Sequence, residues 1–245
     1  MRLLLSLRPR LSTELLTALQ AYVSAVRAEL GAHLQRVILF GSRARGDARP
    51  DSDVDVLLLL TDYPEARWLV RKRVVSATHR LTLTHQLVFG SVLARVADYE
   101  AETELLYQQV KQEGIVLMDQ RIEQLLAMAD NALHEATILD QVAKSPRGTV
   151  SRAYYAMFYA AKAALLFQQV EVKSHAGLVN QFGLHLILPG LIDDSFNQKL
   201  QDAFNTRQEG DYALALSISA EEAKVKVEDA RLFVAEMRRF VGAKD

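Results

Sequence analysis

Strand-forming runs are confined to the first half of this 245-residue chain. Val37-Ile38-Leu39-Phe40 is a short, wholly apolar run that stops at Gly41, and Asp53 to Leu60 is a second run, apolar at its far end and charged at its mouth. Such runs fit buried strands better than helix turns. Helical spacing of Leu15, Leu16, Leu19, Tyr22, Val23, Val26 and Leu30 predicts a helix over 11–30, capped by Ser12 or Thr13 and ended by Gly31. The pattern continues with strands over 34–40 and 53–60, a helix over 65–80, a strand over 83–92, a helix over 99–112 and a closing strand at Gly114 to Leu117. After Asp119 only helical periodicity remains, over 119–143, 147–169, 174–185, 193–208 and 211–240, with breaks at Ser145-Pro146, Lys173-Ser174, Pro189-Gly190 and Gly210. The expectation is an α/β domain over 1–119 and an all-α helical bundle over 120–245.

The turn between the first two strands carries the chemistry. Gly41 lets the backbone approach a ligand closely, and Ser42 offers a hydroxyl and an amide where an anion is favoured. Arg43, Arg45 and Arg49 crowd the same turn, and guanidinium forks suit phosphate oxygens. Strand side chains alternate, so Asp53 and Asp55 project to one side. Two carboxylates beside a phosphate-binding turn are what Mg²⁺ needs, with its remaining positions filled by water and substrate phosphates.

Gly41-Ser42-Arg43-Ala44-Arg45-Gly46 followed by Ser52-Asp53-Val54-Asp55 resembles the minimal nucleotidyltransferases of the polymerase-β superfamily. The resemblance implies a mixed sheet with helices, a nucleoside triphosphate such as ATP as substrate, and Mg²⁺ or Mn²⁺ on Asp53 and Asp55 as catalytic carboxylates. It places Gly41, Ser42, Arg45 and Ser52 at the nucleotide. Members of that family carry a third carboxylate on a later strand. Over the predicted strand Leu83 to Phe89 the corresponding residue is Gln86, a poor metal ligand that cannot serve as a general base. Its neighbour His85 would face the other side of such a strand, and Asp51, Asp62 and Asp98 are further replacements, none at a matching spacing.

The second half has its own signature. Ser151 to Lys162 mixes aromatics with alanines, which reads first as close helix packing. Ser174 suits a helix cap before His175, and Arg207 with Asp211 could tie two helices together as a buried pair. Tyr154-Tyr155-Ala156-Met157-Phe158, Lys173-x-His175 and Arg207-x-x-x-Asp211-Tyr212 together resemble HEPN domains. That likeness implies self-association and, in many members, metal-independent RNA cleavage by an Arg with a His four to six residues later. Here Asp211 and Tyr212 follow Arg207, and no His occurs through Leu214.

Composition removes other classes. Half the residues are hydrophobic, enough for real cores, and the absence of cysteine excludes disulfide frameworks and thiolate metal sites. A net charge of −1 gives no whole-molecule signature of nucleic-acid binding, and Arg67, Arg71, Lys72 and Arg73 read as a solvated helix face. Residues 1–9 hold an apolar stretch too short for a signal or membrane span, so a cytoplasmic protein without membrane partners is expected. The two resembled families occur together as toxin and antitoxin, the transferase adding AMP to a tyrosine of its HEPN partner, and a homodimeric fusion of the pair is implied. The expected function is Mg²⁺-dependent transfer of AMP from ATP to a hydroxyl of a protein or RNA acceptor, Tyr212 being one such acceptor by analogy. The alternatives are a nucleotide- or RNA-binding module that has lost turnover, and a ribonuclease centred on Arg207.

Overall fold

The computed structural model describes residues 11–172, 174–212 and 218–242, the side chains of 209–212 excepted. The chain divides into two compact units, residues 1–120 and 121–245.

In the first unit, α1 (Thr13–Leu30) starts at Ser12, whose hydroxyl accepts from the Leu15 amide, and ends at Gly31 with φ +52°. Four strands follow, β1 (Leu34–Phe40), β2 (Val54–Leu60), β3 (Phe89–Arg95) and β4 (Ile115–Asp119), with α2 (Ser42–Arg45), α3 (Arg67–His85), α4 (Val96–Glu100) and α5 (Leu105–Glu113) between them. The sheet order is β3-β2-β1-β4. β1 runs antiparallel to β2 and β4, whereas β2 and β3 are parallel and joined through α3. The sheet is therefore mixed.

Alternation along the strands divides the core between two faces. Val37, Leu39, Val56, Leu58 and Leu60 pack with α1 and α3 on one face. Ile38, Leu57 and Leu59 pack with Tyr99, Tyr107 and Val110 from α4 and α5 on the other. Asp55 shares the parity of Leu57 and Leu59, so it opens onto the second face at the strand mouth.

Two expectations fail here. The Leu83 to Phe89 segment is not a strand: α3 runs on through His85, Gln86 caps it at φ +53°, and β3 begins only at Phe89. The inner stripe Val70, Val74, Thr78 and Leu81 holds this helix on the core, and the Thr78 and Thr84 hydroxyls donate to the carbonyls of Val74 and Arg80 at 2.9 Å each. Tertiary packing thus outweighs the strand preference of the threonines. The helix expected over 99–112 is broken into α4 and α5, with Glu102 at φ +51° in the break.

The second unit is helical: α6 (Gln120–Gln141), α7 (Pro146–Phe167), α8 (His175–Phe182) continuing as a π-helical turn over Gly183–Ile187, α9 (Asp194–Tyr212) and α10 (Ala220–Val241). Buried alanines of α6, α7 and α10 let the helices approach, and Tyr154, Phe182 and Phe233 fill the gaps between them. Ser174 caps α8 by accepting from the Gly177 amide, and Ser219 and Glu222 form a reciprocal capping box at the start of α10. The predicted break at Gly210 does not occur, because α9 continues to Tyr212. Residues 1–10, Lys173 and the predicted helical stretch over 213–217 lie outside the described residues.

Candidate active site

β1 delivers Phe40 opposite Asp55 of β2, and the chain turns at the next residue. Gly41 adopts φ +73° and ψ −158°, a region reserved for glycine, before the short helix α2 begins. A Cβ on Gly41 would stand 2.5 Å from Asp55 Oδ2. On the other side of Asp55, β3 places Gly90 in register with it, and a Cβ there would meet Asp55 Oδ1 at 3.0 Å. The carboxylate is seated between two glycines, one oxygen facing each missing side chain.

The loop before β2 is clamped to α2. Arg43 donates from Nε and Nη2 to the Ser52 carbonyl at 3.0 and 2.7 Å, and Nη2 also reaches the Pro50 carbonyl at 3.4 Å. Ser52 accepts from the Arg49 amide at 2.9 Å through its hydroxyl, while the Val54 amide donates to the Val88 carbonyl at 2.8 Å. Arg43 and Ser52 thus hold the loop that presents Asp53, and Arg43 faces carbonyls instead of a phosphate. Arg45 donates to Asp47 at 3.2 Å and to Glu113 of α5 at 2.9 Å.

Burial raises the Asp55 pKa above the ordinary carboxylate value, the charge of Asp53 raises it further, and Arg45 opposes both. Asp53 is exposed at the mouth, two residues before Asp55. Two like charges brought together on one side of a partly buried strand end are a poor arrangement alone and a good one for a divalent cation. The donor set fits a hard divalent cation such as Mg²⁺: two oxygen-bearing carboxylates at the strand mouth, of which Asp53 is exposed, leave coordination positions for water and phosphate oxygens.

Gln86 does not occupy the third-acid position, since it caps a helix; the residue across from Asp55 is Gly90, which has no side chain. His85 lies in the last turn of α3. Asp98 is held by Arg95 at 2.8 and 3.0 Å, and Asp62 accepts from the Tyr63 amide at 2.8 Å. Among the described residues no three His, Asp or Glu side chains gather as a metal cluster. A single Gly inside the β-rich run Leu87 to Leu93 is the sequence signal that marks such a close approach.

A second constellation forms in the helical unit. The Tyr154 hydroxyl lies 2.9 Å from His175 Nδ1, and the imidazole stacks on Phe158 at 4.3 Å and 26°. The Arg207 guanidinium lies over the rings of Tyr154 at 5.3 Å and Tyr155 at 5.0 Å. Burial pushes the Tyr154 hydroxyl up to about 12 against the pull of Arg207. Burial, then Arg207 and Lys162, hold the His175 pKa below the ordinary imidazole value. The aromatic helix therefore does more than pack: Tyr154 is buried, while Tyr155 and Phe158 are half-buried and carry Arg207 and His175. The side chains of Asp211 and Tyr212 lie outside the described residues.

Residues 21–133 match the nucleotidyltransferase domain model, and residues 122–240 match the HEPN domain model. The chain belongs to both families. It is a nucleotidyltransferase joined to a HEPN domain. One relative is named "Putative toxin MJ0605", from Methanocaldococcus jannaschii, 33% identical over 120 residues that cover 49% of this chain and 88% of that protein. A second, "UPF0332 protein glr0978" from Gloeobacter violaceus, is 36% identical over 119 residues, 49% of this chain and 89% of that protein. A third, named "Putative protein adenylyltransferase MJ0141" and also from Methanocaldococcus jannaschii, is 30% identical over 80 residues, 33% of this chain and 79% of that protein. Among the described residues of the nucleotidyltransferase–HEPN chain, no helix is long and apolar enough to cross a membrane.

Proposed function

We propose that the nucleotidyltransferase domain moves AMP from ATP to a hydroxyl of a macromolecular acceptor, with Mg²⁺ held by Asp53 and Asp55. The observation that carries this reading is the Asp55 carboxylate seated between Gly41 and Gly90, with Asp53 beside it and the Ser42 turn at its mouth. In the reaction the acceptor oxygen bonds to the α-phosphorus as the bond to the α–β bridging oxygen breaks. Pyrophosphate leaves with that electron pair, and the acceptor proton passes to water. Gly41 leaves room for the Asp55 carboxylate at the strand end, Ser42 offers the phosphates its amide and hydroxyl, and Arg45 adds positive charge beside Asp55. A bound Mg²⁺ would supply charge neutralisation at the α-phosphate and the leaving group. A relative named as a protein adenylyltransferase supports AMP as the group moved. The protein should release pyrophosphate from ATP in Mg²⁺, and folded Asp53→Asn should not; nucleotide binding with no release by the wild type would instead indicate a module that binds without turnover.

A second reading concerns the HEPN domain. No His follows Arg207 through Leu214, but α8 brings His175 within 2.9 Å of the hydroxyl of Tyr154, whose ring Arg207 covers. An imidazole whose pKa is held down can take the proton of a ribose 2′-hydroxyl as its oxygen bonds to the adjacent phosphorus, while the 5′-oxygen leaves with its bonding electrons and takes a proton from water and Arg207 faces the phosphate charge. The products are a 2′,3′-cyclic phosphate and a 5′-hydroxyl. RNA cleavage in EDTA, lost in both Arg207→Ala and His175→Gln, is the expected result, and cleavage that survives either change would refute it.

A further inference from the structure

The first unit carries a concentration of positive charge that the transfer reaction does not use. From Ala66 to Ala97 the sequence contains no Asp or Glu, but it contains Arg67, Arg71, Lys72, Arg73, Arg80 and Arg95. Arg73 is paired with Glu29 and Glu65, and Arg95 with Asp98. Arg71, Lys72 and Arg80 are exposed and make no ion pair among the described residues. In a chain of net charge −1, this makes α3 and the neighbouring strand β3 a local cationic surface.

The same surface holds the protein's single tryptophan, 66% exposed. Trp68 lies between Arg67 and Arg71 and, with Ser91, Val92 and Leu93 of β3, lines a groove of about 470 Å³. β3 is the edge strand of the sheet, and edges commonly accept an extended peptide through free backbone groups. Here the Leu93 carbonyl already accepts from Arg67 Nη2 at 2.7 Å and from the Tyr63 hydroxyl at 3.2 Å. That closes the edge to strand addition where the groove is formed. What remains is an open indole face between cations, which suits a stacked base and the phosphates flanking it.

We infer that this groove binds a single-stranded nucleic acid, with a base on Trp68 and phosphates on Arg71 and Lys72. The inference does not need the transfer reading, and its test omits nucleotide and metal so that the two can fail separately.

Trp68 is the sole indole, so its fluorescence reports on this groove. A mixed-sequence 12-nucleotide single-stranded 2′-O-methyl RNA, which has no 2′-hydroxyl to attack, titrated in EDTA should quench it saturably. Removing the ring in Trp68→Ala should weaken binding of the labelled oligonucleotide, read by anisotropy, about tenfold. The double change Arg71→Ala with Lys72→Ala should also weaken it about tenfold and reduce the salt slope, with Trp68→Phe keeping most of the affinity. All three side chains are exposed, so the variants test the surface and not the fold. Absence of quenching, affinity unchanged in the double variant, or equal quenching by a poly-glutamate peptide of matched charge would overturn the inference, the last in favour of an acidic protein partner.

Discussion

Alanine placed at three glycines separates backbone strain from side-chain contact at the candidate active site. Gly41 combines φ +73° with a would-be Cβ 2.5 Å from Asp55 Oδ2, Gly46 has φ +87° with nothing within 4 Å, and Gly90 has no positive φ but a contact of 3.0 Å to Asp55 Oδ1. Alanine forced into the left-handed region, as at Gly46, or into the glycine-only region, as at Gly41, costs about 1–3 kcal/mol. With an unfolding entropy of about 2.1 cal/mol/K per residue, a unit of residues 1–120 should lose about 4–12 °C in Tm for that cost. Gly41→Ala and Gly46→Ala should therefore both melt lower by calorimetry, whereas Gly90→Ala should stay closer to the wild type. Pyrophosphate release should order differently: Gly46→Ala retains it, Gly90→Ala reduces it by displacing one oxygen, and Gly41→Ala abolishes it by displacing the other. Full release by Gly41→Ala, or loss in Gly46→Ala equal to that in Gly41→Ala, would refute the claim that these glycines act by making room for the carboxylate.

Two further predictions concern the cores beneath the sites. Tyr22 is fully buried and its hydroxyl lies 2.6 Å from Ser91 Oγ, so Tyr22→Phe should cost about 0.5–1.5 kcal/mol, roughly 2–6 °C in the calorimetric transition of the first unit, and a melt within a degree of wild type would contradict it. His175 has a folded pKa below its ordinary value of 6.5, so between the two the unfolded chain binds more protons than the native one. HEPN-domain stability should be at its full value above about pH 6.5 and fall as pH drops from there toward the folded pKa. His175→Gln should flatten that slope, and an unchanged slope would show that another group sets it.

Much of the first site was legible because its parts are local. The apolar run Val37 to Phe40, the turn at Gly41 and the alternation through Asp53 and Asp55 each state their geometry within a few residues. The partner of Asp55 across the sheet was not, since it depends on where β3 begins. The threonines and leucines before Gln86 have strand character, yet the spacing of Val70, Val74, Thr78 and Leu81 is helical and their burial decides the outcome. That four-residue shift moves the position facing Asp55 from Gln86 to Gly90. In the HEPN domain, the likeness to a motif on one helix directed attention to residues after Arg207, whereas the imidazole comes from α8, more than thirty residues earlier, through a contact only the packed helices make.

Transfer of label from the α-phosphate of ATP tests the central claim most directly. Protein incubated with α-labelled ATP and Mg²⁺, in the presence of RNA and of a second copy of the chain, should pass label to a macromolecule with release of unlabelled pyrophosphate. Asp53→Asn and Asp55→Asn, folded to the same melting temperature, should pass none. Label transferred equally by the wild type and both variants would contradict the assignment of these two carboxylates to the chemistry.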